Sequence, residues 1–505
     1  MLFKKNTFFV NAFSNWATLG VEAILAFILT PVIIHNLGQS GYGIWVIIGS
    51  IIGYYGFLDL GVASAVMRYV ARFSGEGTER EVKKIVSTAF AFFITIGISI
   101  VGGTFLLSDV LAKLIDVPQQ GLENFSLAIE ILALSMAIRF AISVFKITLI
   151  AHEMFIITNI VVTTSNLIRA SLTFSFLYYG WGLLGVALSH LITVLLTEGV
   201  YVICCFRYIS KFRIEIKSID KGVLYKLVSF GGITTVIAIT DTIRLNVDSV
   251  VIAKFVDMSA VGVFAVASLL VRYFVRLVVS AMGVITPRFA KLDMLGEKKE
   301  LSLLFLRALF VCSLMAFSLA AILVVYGGDF LLLWVGHDFE ASIQILIILT
   351  VGHAVAVSQN VGIGLMYALK KHHWYAVTSS FEAVLNLCLS IVLVTRYGII
   401  GVALGTALPM LLIRGFIQPF YVSKTLGLSV VIYYAYLILG LVIGGAVVFS
   451  MAYIGSKIFL EVNYINLGVQ VILTIIAVMA CFILVRKIEL KYRDWGNKII
   501  IGKNI

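Results

Sequence analysis

Apolar runs of about twenty residues, bounded by short polar or charged turns, recur along the whole chain. They predict fourteen membrane-spanning helices, at roughly 7–34, 42–67, 86–107, 124–148, 153–178, 182–206, 227–253, 259–286, 300–326, 341–367, 374–395, 399–420, 430–455 and 467–485. The strict polar–apolar alternation of a membrane β-barrel does not occur. Polar positions inside the runs are few and ordered. Asn11, Asn15, Thr18 and Glu22 share one face of the first span, and Ser135, Arg139, Ser143 and Lys146 one face of the fourth. The fifth span carries Asn166 and Arg169, the seventh Asp241, Arg244 and Asp248, and the eighth Ser268, Arg272, Arg276 and Ser280. A charge near the bilayer centre costs at least about 2.5–3.5 kcal/mol, so these faces are expected to line a polar space rather than meet lipid.

The pattern repeats. Pro31 to Arg72 opens with a polar turn, continues through Gly49, Gly53, Gly56, Gly61 and Ala63, and stops at Arg68 and Arg72. Ile252 to Arg288 follows the same plan, with Ser259, Gly262 and Phe264 in the places of Ser40, Gly43 and Trp45. Gly182-Leu-Leu-Gly-Val-Ala-Leu188 returns as Gly398-Ile-Ile-Gly-Val-Ala-Leu404. An even number of spans separates the copies, so they share one topology, related by a pseudo-two-fold axis along the membrane normal. The expected fold is an all-α polytopic membrane protein of two six-helix lobes and two extra C-terminal helices. Its segments are an N-lobe (1–206), a basic cytoplasmic linker (207–226), a C-lobe (227–421), and a C-terminal pair of helices with a cytoplasmic tail (422–505).

Composition agrees with the pattern: 61% of the 505 residues are hydrophobic and only 13% are charged. A net charge of +12 would suit nucleic acid in a soluble protein, but no nucleic-acid partner is expected here. Lys and Arg collect in alternate loops, as retention on the cytoplasmic side requires, which places both termini in the cytoplasm. The start MLFKK, with no small-residue cleavage site after it, reads as an uncleaved first helix. The five cysteines fall inside apolar runs and read as packing residues. No phosphate-binding Gly-rich loop with Lys, nucleophile elbow, HExxH or paired-Cys spacing occurs, so no ATPase, catalytic residue or metal site is expected. His190 and His353 read either as hydrogen-bonded packing residues or as proton carriers.

An Asn-rich helix start, followed by LTPVIIHNLGQSGYGIW (29–45), GFLDLG (56–61) and RYVAR (68–72), resembles the polysaccharide-transporter branch of the multidrug/oligosaccharidyl-lipid/polysaccharide exporter superfamily. The resemblance implies a flippase of the cytoplasmic (inner) membrane. Such a protein moves a polyprenyl-pyrophosphate-linked oligosaccharide (an O-antigen, capsule or exopolysaccharide repeat unit) to the outer leaflet by alternating access. It implies no cofactor beyond a coupling proton or sodium ion. The implied partners are membrane lipids, a polysaccharide polymerase and chain-length machinery.

Within that frame Arg139, Arg272 and Arg276, followed by Arg169 and Arg244, are candidates to bind pyrophosphate, because a planar guanidinium donates to phosphate oxygens in a fork and stays charged. Asn11, Asn15, Glu22, Asp241 and Asp248 are candidates for cavity or coupling roles. Glu22 and Asp241 are equivalent in the repeat, and either bind a coupling ion or pair with cavity arginines. Asp241, Arg244 and Asp248 either face the cavity or pair along their own helix. The rival readings are a cation-coupled multidrug or metabolite antiporter on the same fold, and a membrane glycosyltransferase, which the short outer loops disfavour. Spans 13 and 14 carry no charge in their cores, and either shape a lipid-facing groove for a polyprenyl tail or only stabilise the fold or a dimer.

Overall fold

A chain this apolar in hydrocarbon must satisfy its backbone hydrogen bonds within each segment, and helices do so. The computed structural model describes residues 7–114, 117, 122–209, 212–371, 373–459 and 461–491, and among them there is no strand. The helices are α1 (Thr7–Tyr54), α2 (Val62–Gly75), α3 (Glu79–Leu114), α4 (Leu122–Ala151), α5 (Phe155–Tyr178), α6 (Gly182–Tyr208), α7 (Lys221–Phe255) and α8 (Met258–Met282). They continue as α9 (Thr286–Met294), α10 (Lys298–Val335), α11 (Ala341–Ser358), α12 (Asn360–Ala368), α13 (His373–Leu412), α14 (Gln418–Leu426), α15 (Val430–Ile458) and α16 (Tyr464–Lys491).

Among the described residues, 11 stretches are long and apolar enough to cross a membrane. Two of them each hold a pair of the predicted spans: Trp16–Asp59 and His373–Leu426. The helices within them bend at Gly38 (φ 69°) and Gly398 (φ 56°). The predicted span 227–253 is α7, several of whose side chains lie outside the described residues. The protein is a multi-pass all-α membrane protein.

The structure corrects one boundary. The predicted span 42–67 is not one helix, because GFLDLG is a break. A 3-10 turn (Tyr55–Asp59) leads to Leu60 and Gly61, both at positive φ, and Asp59 Oδ1 then accepts the Ala63 N–H at 3.1 Å to start α2. The second copy also breaks, but later in the repeat: α8 runs on to Met282 before a 3-10 turn at Gly283–Ile285, and Pro287 lies in the first turn of α9. Proline suits a helix start because its missing N–H has no partner to lose there.

The chain divides into two compact units: Met1–Ala265 with Ser390–Val402, and Val266–Leu389 with Ala403–Ile505. In the first, α2 buries Val62, Ala65, Val66 and Val70, one helical face, in a cluster with Phe93, Phe140, Phe145 and Tyr201. Gly43 meets its repeat partner Gly262 here, and Ser259 meets Gln39, the neighbour of Ser40. Ser259 Oγ donates to Gln39 Oε1 at 2.7 Å. A Cβ on Gly43 would run into the Met258 carbonyl, and one on Gly262 would stand 2.6 Å from the Gln39 carbonyl oxygen. The repeated small residues are thus the two sides of one helix contact, of the kind close backbone packing in lipid requires. The repeated Gly-x-x-Gly has a local cause. Gly182 and Gly398 both turn the chain at positive φ, which favours glycine. Gly185 and Gly401 leave room for the preceding helix end, at Phe176 and Leu393 respectively.

The basic linker is fastened to α3. Lys83 Nζ pairs with Glu215 at 2.8 Å, and Ser87 and Thr88 hydroxyls accept the Glu215 and Asp220 backbone N–H groups. The Lys83 hydrogen bond holds the Glu215 carboxyl below its ordinary range. The N–H groups of Val223 and Gly222 do the same for Asp220, which caps α7.

In the second unit α15 lies along α10. Gly440 and Gly444, one turn apart, admit Ser313 and Ser318 of α10, where a Cβ would collide. Tyr326 of α10 meets Thr474 of α16 at 3.3 Å. The rest of α15 and α16 exposes large apolar side chains, among them Val431, Val442, Phe449, Ile472 and Met479.

Candidate functional site

The polar face of α1 is joined to α5. Asn159 Nδ2 donates to Ser14 Oγ at 2.8 Å, and the Thr18 and Thr163 hydroxyls lie 3.0 Å apart. Glu22 is half-buried on the same helix. The side chains of Asn11, Asn15, Asp241 and Arg244 lie outside the described residues. Asp248 is buried, and acts electrostatically on Tyr54.

On α4 the expected polar face separates into two kinds of residue. The Ser135 and Ser143 hydroxyls donate to carbonyls of their own helix, Ile131 and Phe140. Arg139, exposed, and Lys146, half-buried, remain as its charges. Both act on the buried Glu198 of α6. Arg169 of α5, which donates to Asn166 Oδ1 at 3.3 Å, acts together with Arg139 on His190 of α6. Arg139 is therefore the charge that both α6 groups feel, with Lys146 acting on Glu198 and Arg169 on His190.

In the second unit Arg272 and Arg276 are both exposed, one turn apart on α8, while Val271, Phe274 and Val278 on the other side of the helix are buried. The Arg276 guanidinium lies 5.8 Å from the Tyr273 ring centroid. The helix thus presents two cations along one edge, held by an apolar packing face.

Sequence reasoning did not find the buried pair of the second unit. Arg414 Nε donates to Glu382 Oε2 at 2.7 Å, Nη2 to Ser379 Oγ at 2.9 Å and Nη1 to Gln418 Oε1 at 3.3 Å. Its guanidinium also lies 4.9 Å from the Tyr375 ring centroid. Arg414 sits in a π-turn, Ile413–Ile417. Side chains satisfy carbonyls of that turn: Gln359 Nε2 donates to the Arg414 oxygen at 2.8 Å, and Tyr434 to the Gly415 oxygen at 2.7 Å. All three guanidinium nitrogens of this buried arginine thus donate to side chains of the same unit, which ties it into the fold. Among the described residues, no group of three or more His, Cys, Asp or Glu is placed to hold a metal ion.

Comparison with known proteins gives the same picture at family level. A family model described as polysaccharide biosynthesis protein matches residues 36–344. A protein of Shigella flexneri that carries the provisional name O-antigen transporter is 23% identical over 407 residues, 79% of this chain and 94% of that protein. The uncharacterized membrane protein EpsK of Bacillus subtilis (strain 168) is 22% identical, covering 83% of this chain and 84% of its own. Among solved structures, the lipid II flippase MurJ in an inward closed conformation aligns with a TM-score of 0.73 at 15% identity, over 96% of this chain and 99% of that one. An inward-facing multidrug resistance MATE family transporter of the MOP superfamily aligns with a TM-score of 0.70 at 12% identity, over 82% of this chain and 98% of its own. At such identities the two structures establish a shared fold.

Proposed function

Because this chain belongs to the polysaccharide biosynthesis protein family, we propose that it is a flippase for a polyprenyl-pyrophosphate-linked oligosaccharide. It carries the glycan head group from the cytoplasmic to the outer leaflet of the inner membrane by alternating access. The observation that carries the reading is a charge distribution. Arg139 and Arg169 in one unit, and Arg272 and Arg276 in the other, stand on otherwise apolar membrane helices. Cations held there at such cost suit an anionic cargo, and guanidinium forks suit a pyrophosphate. The Shigella relative and the MurJ neighbour bear names of glycan-lipid transport, which favours this cargo over a cationic drug.

The hydrocarbon tail stays in lipid while the head crosses, since each CH₂ withdrawn from hydrocarbon costs about 0.8 kcal/mol. The exposed apolar faces of α15 and α16 are suited to lie beside it. The lysine-rich sides of the helices face the cytoplasm in this orientation, with both termini there. Glu22 and Asp241, equivalent in the repeat, are the proposed seats of a coupling proton or sodium ion. A polymerase and chain-length machinery receive the product.

The test is glycan export by variants at Arg272. Arg272→Ala is expected to lower export by about ten- to a hundredfold at normal protein level, the loss of one or two charge-assisted hydrogen bonds. Arg272→Lys is expected to restore only part of it, because a point charge cannot make the same fork. Normal export by Arg272→Ala would remove this residue from the head-group site.

A further inference from the structure

Helix ends of the first unit enclose a cavity of about 240 Å³ that the head-group reading does not use. It lies where α2 ends, α3 begins, the α4–α5 turn passes and α6 gives way to the linker. In the orientation proposed above this is the cytoplasmic end. Three basic side chains line it: Lys83 of α3, His152 of the α4–α5 turn and Arg213 of the linker. Glu79 is the one acid among the lining residues. Phe73 and Tyr208 add ring surface, and Ser74 a hydroxyl.

Each basic group is placed by a contact of its own. His152 Nδ1 stands 2.8 Å from the Thr148 carbonyl oxygen. A carbonyl only accepts, so Nδ1 carries the proton and donates. Nε2 is left as the ring nitrogen without a partner, able to accept from a hydroxyl or, when protonated, to donate. Lys83 Nζ uses one of its three donors on Glu215, at 2.8 Å. Arg213 is exposed and makes no hydrogen bond or ion pair among the described residues. Its place is fixed by its neighbour Phe212, which is buried with its ring centroid 5.4 Å from that of Phe145 and 5.5 Å from that of Phe206. Gly77 and Glu79 bring the start of α3 to the same cavity, and the dipole of that helix favours an anion there.

We propose that this cavity binds a phosphorylated polyol, the chemistry shared by an anionic phospholipid head group and a free sugar phosphate. The phosphate meets the Arg213 fork and the two remaining donors of Lys83. Hydroxyls of the polyol reach His152 Nε2 and Ser74, and its C–H faces lie against Phe73 and Tyr208. Pockets for drug-sized ligands run from about 300 Å³ upward, so this smaller one suits a glycerol or single-sugar unit. Basic pockets between membrane helices on the cytoplasmic side are the kind that hold anionic lipid head groups. The bound anion joins the linker to α3 and to the α4–α5 turn, beside the Lys83–Glu215 pair that already fastens it. The site depends on the head-group reading only for the side of the membrane that it faces.

The experiment uses the full chain in two arms. In one, glycerol phosphate is titrated by calorimetry into the protein in phosphatidylcholine nanodiscs. In the other, phosphatidylglycerol is added to the protein in detergent, and bound lipid is counted by native mass spectrometry against phosphatidylcholine. Binding is expected to be about tenfold weaker for Arg213→Glu, and unchanged for Lys217→Glu, an exposed linker cation outside the cavity. Should Arg213→Glu fail to fold, His152→Leu takes its place, with an expected loss of about threefold. Binding of glycerol phosphate assigns the site to a free phosphate, and binding of phosphatidylglycerol alone assigns it to a lipid head group. No binding in either arm, or equal losses for Arg213→Glu and Lys217→Glu, would overturn the site. The head-group reading would still stand, because neither probe carries a pyrophosphate and no transport is measured. Normal export by Arg272→Ala would count against that reading and leave this site untouched.

Discussion

Replacing Arg414 by Met is expected to cost about 3–5 kcal/mol of folding stability, read as a fall in thermal midpoint of the purified protein. The reason is what the substitution leaves behind. Glu382 is 1% exposed and would keep its charge with its principal partner gone. Ser379 would lose the donor to its hydroxyl and Gln418 the donor to its side-chain oxygen. The chain in which Gln359 accepts from Gln418 Nε2 at its backbone oxygen and from the Tyr433 hydroxyl at Oε1 would loosen with them. Arg414→Lys is expected to recover little, because an ammonium cannot reach Glu382, Ser379 and Gln418 with one planar fork. The double variant Glu382→Leu, Arg414→Met removes both charges and is expected to be more stable than either single change. Equal midpoints for Arg414→Met and the natural protein would mean that the pair carries no stability.

The second large effect is expected at Gly43. Its Cβ would collide with the backbone carbonyl of Met258, which cannot rotate away as a side chain can. Gly43→Ala must therefore push α1 and the start of α8 apart, at a cost of about 1–3 kcal/mol, and Gly43→Leu more. The control is Gly49 on the same helix, where a Cβ meets nothing within 4 Å. Gly49→Ala is expected to be neutral or mildly stabilising, since alanine is the better helix former by about 1 kcal/mol. Similar midpoints for the two alanine variants would contradict the close crossing.

These two sites differ in how far the sequence discloses them. The helix contact at Gly43 is legible because its two sides are copies: Ser40 and Gly43 return as Ser259 and Gly262, and the two glycines face each other. The bends at Gly38 and Gly398 are legible for a similar reason, each lying between two apolar runs long enough to cross alone. The break at GFLDLG is harder to read, since only Asp59 is charged and the flanking residues continue the apolar run. Leu60 at positive φ is a conformation that composition does not announce. The Arg414–Glu382 pair joins two parts of a single predominantly apolar stretch, and helical spacing cannot reveal a contact made by a π-turn against an earlier helix. On α4 the sequence placed four polar residues on one face, but the serines are satisfied by their own helix. The charge on which Arg139 and Lys146 both act, Glu198, belongs to another helix, which spacing along α4 cannot disclose.

The charge pattern of the head-group reading makes its own demand on transport. The most direct measurement places the purified full-length protein in liposomes loaded on one side with a short lipid-linked pyrophosphoryl oligosaccharide, and follows its head group to the other leaflet. A cationic drug is run in parallel. The account predicts head-group transfer that Arg272→Ala slows by about ten- to a hundredfold, with no accumulation of the drug. Accumulation of the drug with no transfer of the oligosaccharide would contradict it, and would identify the protein as a cation exporter on the same fold.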